Sequence, residues 1–298
     1  MKPWIGVTLL LAALGLGAMA PALRAADGKP LYTDQVAVLM YHHLDETAQS
    51  SSTIKPELFR AQLELLKSKQ IHFITLDQFK KFLDGTGKVP DNAALVTFDD
   101  GYESFYTKAY PILRQLEVPA VNFVITGDLE HPKETYIPSL SREQIRAMLS
   151  ESPNLIAIGC HTDAMHGKLP SGDAIMVGRE EQGGVKESDE AYRQRVLADT
   201  STCLGKLNEL SPATVDTMAY PYGITTPAAS RLVGQAGVRY AFTITPSMAT
   251  QGTDLLQIPR INGGSPNVTP DGLYKTILHR IVRVNEDRPK IVLSEGDR

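Results

Sequence analysis

Eight short apolar runs, most of them separated by segments with helical periodicity, constrain this 298-residue chain more than any other feature. They are Val36–Met40, Phe73–Thr75, Ala93–Phe98, Ala120–Ile125, Leu155–Cys160, Thr217–Tyr220, Arg239–Thr243 and Leu256–Ile261. Runs of this length, bounded by turn residues, read as buried strands. Between them, Pro56–Lys69 carries Leu58, Phe59, Leu63, Leu65 and Leu66 behind a proline at a tolerated first-turn position. Thr75 and Gln78 form a capping box for a helix running to Leu83, and Gly85 stops it. Ser141 and Gln144 repeat that signature ahead of Ile145, Met148 and Leu149. A longer helix over about Ser188–Leu210 groups Tyr192, Val196, Cys203, Leu207 and Leu210 near one face. Pro227 and Pro270, each preceded by Thr, open two more. Strand–helix alternation of this kind implies an α/β fold with a mainly parallel sheet. The number and size of the units match a distorted or incomplete (β/α) barrel, with an open doubly wound sheet as the alternative. The Gly- and charge-rich stretch 167–190 reads as a long loop.

Met1-Lys2-Pro3-Trp4 leads into an apolar and small-residue stretch from Ile5 to Ala20, and small residues continue to Ala26. A positive start, a short apolar core and a small-residue exit describe a secretory signal peptide. The strongly apolar core falls short of the ~20 residues that a membrane span needs. The chain therefore divides into a signal peptide, 1–26, with Ala20, Ala25 and Ala26 as cleavage candidates, and one domain, 27–298. That domain is expected to be exported, periplasmic or extracellular, with no stable membrane span after cleavage. There Cys160 and Cys203 could form one disulfide or stay as buried thiols. A net charge of −4 gives no basic footprint for nucleic acid.

Barrels and open α/β sheets both place chemistry at the carboxyl ends of their strands. Thr97-Phe98-Asp99-Asp100-Gly101 puts two adjacent carboxylates at such an end. Adjacent side chains on an extended backbone point to opposite sides, so one can hold a metal while the other handles a proton. Taken alone, Asp-Asp-Gly is also ordinary turn chemistry. His42 and His43 follow Val36–Met40, His161 follows Leu155–Cys160, and His166 lies five residues further on. Pro221-Tyr222-Gly223 follows Thr217–Tyr220 in the same way. By contrast, His72 precedes a strand, His131 lies in a loop and His279 lies within a helix, and these three read as structural or surface residues. Two imidazoles plus one carboxylate make a three-ligand site with room for water, the open arrangement of hydrolytic metal centres.

The Thr97–Gly101 segment and His161-Thr162…His166 resemble the first two motifs of the carbohydrate esterase family 4 polysaccharide deacetylases, the NodB-like enzymes. The five-residue histidine step resembles the branch that de-N-acetylates poly-β-1,6-N-acetyl-D-glucosamine of biofilm matrices, the PgaB and IcaB type. Asp99 to Tyr106, Tyr220-Pro221-Tyr222-Gly223 and Ile258-Pro259-Arg260 agree with it, so the resemblance spans about Val36 to Ile261. It implies that Asp100, His161 and His166 bind one divalent metal ion, for which zinc, cobalt, nickel and iron are all suitable. It also implies Asp99 as general base and the backbone N–H of Tyr222 as oxyanion donor. The Arg that orients the base in the family's third motif is replaced here by Ala219, and the usual C-terminal catalytic His has no clear counterpart. In the biofilm branch the motif order is permuted and the acid follows the first strand, which implies His42, with His43 second. The chain is expected to lack the glycosidase-like second domain of PgaB-type proteins. The implied activity is metal-dependent removal of N-acetyl groups from an N-acetylglucosamine polysaccharide, releasing acetate. Chitooligosaccharide or peptidoglycan deacetylation, acetyl-ester hydrolysis and a non-catalytic carbohydrate-binding module are the alternatives.

Overall fold

The computed structural model describes residues 29–283, and the leader reading with its cleavage points lies outside the described residues. Six parallel strands, β1 (Gln35–Tyr41), β2 (Ala93–Phe98), β3 (Ala120–Val124), β4 (Ile156–Cys160), β5 (Thr217–Ala219) and β6 (Tyr240–Phe242), lie side by side in chain order. A doubly wound sheet reverses direction at a switch point, whereas this one winds one way, as a barrel does. The helices are α1 (Pro56–Ser68), α2 (Leu76–Leu83), α3 (Tyr110–Leu116), α4 (Arg142–Glu151), α5 (Asp189–Asn208), α6 (Pro227–Gln235) and α7 (Pro270–Arg280). Among the described residues no helix is long and apolar enough to cross a membrane.

The sheet curls until its edges approach. Ile258 bridges Phe242 at the end of β6, and Ile261–Asn262 pairs in parallel with Leu39 and Met40 of β1. The run Leu256–Ile261 is therefore a closing segment rather than a regular strand, because Pro259 has no N–H to give a ladder. The run at Phe73–Thr75 shortens to His72–Phe73, paired with Ala93 and Ala94. The result is a distorted, incompletely regular barrel.

Alternation along each strand sorts the side chains into two layers. Val36, Val38, Leu95, Val121, Phe123, Ala219 and Phe242 join an inner cluster. Ala37, Leu39, Tyr41, Val96, Phe98, Val124 and Ile158 join an outer one beneath the helices. Helix α2 belongs to the inner layer, since Phe79, Phe82 and Leu83 pack inside and close the amino-terminal mouth. Gly159 faces inward, where a Cβ would meet the Phe123 ring at 2.5 Å and Thr217 Oγ1 at 2.8 Å. Only glycine leaves that space.

Three local features go beyond the sequence reading. A π-helical turn at Phe105–Ala109 runs into α3, a helix hidden in the sequence by Pro111. That proline falls in the first turn of α3, where its missing N–H costs little. The 167–190 stretch contains a short hairpin, Glu181–Gln182 against Val185–Lys186. Cys160 and Cys203 are joined as a disulfide between the end of β4 and α5.

Candidate active site

The inward parity of the strands carries straight on into the polar residues at the carboxyl-terminal mouth. Val36 and Val38 lead to His42, Leu95 and Thr97 lead to Asp99, and Gly159 leads to His161. Registration keeps them level. The Asp99 N–H donates to the Tyr41 carbonyl (3.0 Å) and the His161 N–H donates to the Val124 carbonyl (2.9 Å). The chain then turns sharply through left-handed residues, Asp100 (φ 72°), Thr162 (φ 73°) and Tyr222 (φ 58°). A non-glycine residue held there stores about 1–3 kcal/mol, which the surrounding structure must over-determine.

These turns bring Asp100, His161 and His166 together. Asp100 Oδ1 lies 3.2 Å from His161 Nε2 and 3.1 Å from His166 Nε2. One donor atom from each residue falls within 4.8 Å of the others. His161 Nδ1 donates to the Ala219 carbonyl (2.8 Å), which anchors the ring and leaves Nε2, once it gives up its own proton, to act as a ligand. Burial pushes the Asp100 carboxyl up, but hydrogen bonds from His161 and His166 outweigh it and hold the group well below the usual carboxylate range. Burial pushes His161 down, and its hydrogen bond to Asp100 reverses the sign, so its pKa is raised. A buried cluster of two imidazoles and one carboxylate fits a divalent ion.

Asp99 points the other way, into the barrel, and meets Arg260. The guanidinium forks onto both carboxylate oxygens, with Nη1 to Oδ1 at 2.6 Å and Nη2 to Oδ2 at 2.7 Å, and Nε donates to the Thr243 carbonyl at 2.8 Å. Arg260 is only 1% exposed. Burial pushes Asp99 up, yet the Arg260 charge and hydrogen bonds more than offset it, leaving the carboxyl below its ordinary value. Sequence reasoning missed Arg260 as a site residue. The orienting arginine absent at Ala219 arrives instead from the closing segment, and its signal was the Ile258-Pro259-Arg260 run.

His42 Nε2 stands 3.8 Å from Asp99 Oδ2, on the cleft side, and the buried His42 Nδ1 has no hydrogen-bond partner among the described residues. His43 faces the opposite way. Its Nδ1 shares a hydrogen bond with Ser104 Oγ (2.8 Å), and its ring meets Tyr102 edge-on at 5.2 Å. Burial lowers its pKa against the pull of Asp45. Tyr222 stands over the ligand turn, its ring 5.1 Å from His166 and its hydroxyl donating to the His166 carbonyl (3.0 Å). Together these groups line a cleft of about 230 Å³. The other three histidines lie elsewhere: His72 against the Asp91 carbonyl, His131 exposed beside Glu134, and His279 in the last turn of α7.

A family model described as polysaccharide deacetylase matches residues 86–241, more than half of the chain. A poly-beta-1,6-N-acetyl-D-glucosamine N-deacetylase of Staphylococcus aureus (strain MRSA252) is 26% identical over 209 residues, covering 70% of this chain and 67% of that protein. The structure of IcaB from Ammonifex degensii superposes with a TM-score of 0.67 at 26% identity, covering 83% of this chain and 97% of the other. A de-N-acetylase from Aggregatibacter actinomycetemcomitans reaches a TM-score of 0.73 at 23% identity, covering 82% and 100%, a likeness of fold.

Proposed function

The chain belongs to the polysaccharide deacetylase family, and from that premise we propose that it removes N-acetyl groups from poly-β-1,6-N-acetyl-D-glucosamine in a metal-dependent reaction. The observation that carries the reading is the convergence of Asp100, His161 and His166 beside an Asp99 held ionised by Arg260. The polymer is supported by the relative named for that substrate. A single domain over 27–298, exported behind a leader, is supported by the residues at 1–26 and by the disulfide, which belongs to oxidising compartments.

Asp100, His161 and His166 are assigned to hold the ion, with zinc, cobalt, nickel and iron as candidates. Held there, a divalent ion would supply Lewis acidity, lowering the pKa of a water molecule and polarising the acetamide oxygen. Asp99 is the general base that takes a proton from the attacking water. Arg260 engages both of its oxygens, which fixes the carboxylate plane and keeps it deprotonated before attack. The backbone N–H of Tyr222 is assigned to the oxyanion, a donor worth about 10²–10³ in rate. An amine leaves poorly unless it is protonated, so His42, on the cleft side of Asp99, delivers the proton to nitrogen as the C–N bond breaks. Acetate and a free glucosamine amine are the products.

The test is acetate release from poly-β-1,6-N-acetyl-D-glucosamine, chitooligosaccharides and peptidoglycan, each with and without chelator. The expected result is release from the first polymer, abolished by chelator. Preference for another polymer would redirect the substrate assignment. No release from any of them would favour a carbohydrate-binding module.

A further inference from the structure

The two histidines of the candidate metal site are held in different ways. His161 sits at the end of β4 with its ring anchored on Ala219. His166 lies beyond the turn 162–165, so its position depends on how that turn is fixed. The Thr126 and Gly127 N–H groups donate to the Thr162 and Asp163 carbonyls, both at 3.0 Å. The Asp163 carboxylate accepts from Thr126 Oγ1 (2.6 Å) and Lys206 Nζ (3.0 Å). The Asp163 and Ala164 N–H groups both donate to one carboxylate, that of Asp199, at 2.9 and 2.6 Å.

Asp199, Cys203 and Lys206 are spaced i, i+4 and i+7 along α5, which puts them on one helix face. All three grip the ligand segment: Asp199 through two backbone N–H groups, Cys203 through the disulfide to Cys160, and Lys206 through Asp163. The grip has something to hold, because Thr162 is β-branched and sits at φ 73°, a conformation such a residue does not keep by itself. That left-handed turn lies within the five-residue histidine step, at whose end His166 returns to Asp100.

We propose that Asp199 is a positioning residue for the metal site, setting the separation of the His161 and His166 donors through the backbone of the turn between them. The inference rests on the metal-dependent reading above. It assigns to α5 a function beyond packing: a charged acceptor, fixed on a rigid helix, orders two consecutive N–H groups and thereby aims a side chain two residues further on. Outer partners of this kind typically change metal affinity by about 10–100-fold when removed.

The test compares Asp199→Asn and Asp199→Ala with Asn208→Ala in the full chain. Asn208 donates to the Leu204 carbonyl and accepts from the Val215 N–H, so it anchors α5 without touching the turn. Each variant is loaded with cobalt(II) or zinc(II), and the dissociation constant is measured by chelator competition, together with the d–d absorption of the cobalt form. Asp199→Asn keeps one acceptor and should weaken the ion about tenfold, while Asp199→Ala should approach a hundredfold, both with an altered cobalt spectrum. Asn208→Ala should lower the melting temperature and leave ion affinity and spectrum as in the parent. Should Asp199→Ala fail to fold, the near-isosteric Asp199→Asn decides. Parent-like affinity and spectrum in the folded Asp199 variants would overturn the proposal. A parent protein that holds no ion would instead defeat the metal-dependent reading itself, before any variant is compared.

Discussion

At the amino-terminal mouth of the barrel, Leu76, Leu149, Ile156, Ile158 and Val215 line a cavity of about 440 Å³, whereas the cleft at the carboxyl-terminal mouth holds about 230 Å³. Volume alone does not separate them by chemistry. The titratable groups around the larger cavity are neutralised locally, Lys80 by Asp216 and Asp77 by Lys81. At the smaller one, His42, Asp99, Asp100, His161 and His166 converge from three different strands, and the turns that deliver them are strained. The difference follows from winding. Each strand enters the amino-terminal mouth from a helix or loop that only has to be packed. At the other mouth the inward parity of β1, β2 and β4 runs on past the strand end, so the next inward side chains are His42, Asp99 and His161.

If the two mouths divide chemistry from packing, substitutions at them should separate rate from stability. The largest effect is expected for His42→Ala, which should slow amide hydrolysis by about 10²–10⁴ with ion content and folding intact. An aryl acetate, whose leaving group needs little protonation, should suffer much less, and equal losses on both substrates would remove His42 as the acid. Arg260→Met should cost about 3–5 kcal/mol in urea unfolding, because Asp99 is left as a buried unpaired charge. A loss below about 1 kcal/mol, the range of an exposed ion pair, would mean that the pair does not hold the interior. At the other mouth, Leu149→Ala should cost about 2 kcal/mol, the low end for a buried leucine, with turnover per folded molecule unchanged. Lys80→Met removes a half-buried partner of Asp216 and should cost about 0.2–1 kcal/mol, again without a change in turnover. Any loss of turnover from the last two would break the division.

How much of this was legible in the sequence can be argued residue by residue. The parallel barrel was readable because apolar runs and capping boxes are local signals, and the boxes at Thr75/Gln78 and Ser141/Gln144 both form. The rim positions of His42, Asp99, Asp100 and His161 were readable because each follows directly from a strand. Arg260 was not, since it reaches Asp99 across 161 residues of chain and depends on how the barrel closes. The left-handed turn at Thr162 was hidden too, because a β-branched residue argues against the conformation it adopts. Helix α3 escaped because Pro111 and a π-helical turn break its period.

Whether the two adjacent carboxylates at one strand end hold separate roles is decided by metal content and acetate release of purified Asp99→Asn and Asp100→Asn. Asp99 is gripped by Arg260, and Asp100 meets His161 and His166. Asp99→Asn is expected to retain one divalent ion per chain and release no acetate, while Asp100→Asn loses ion and activity together. An Asp100→Asn protein that keeps its ion, beside an Asp99→Asn protein that loses it, would mean that the two carboxylates hold the opposite roles.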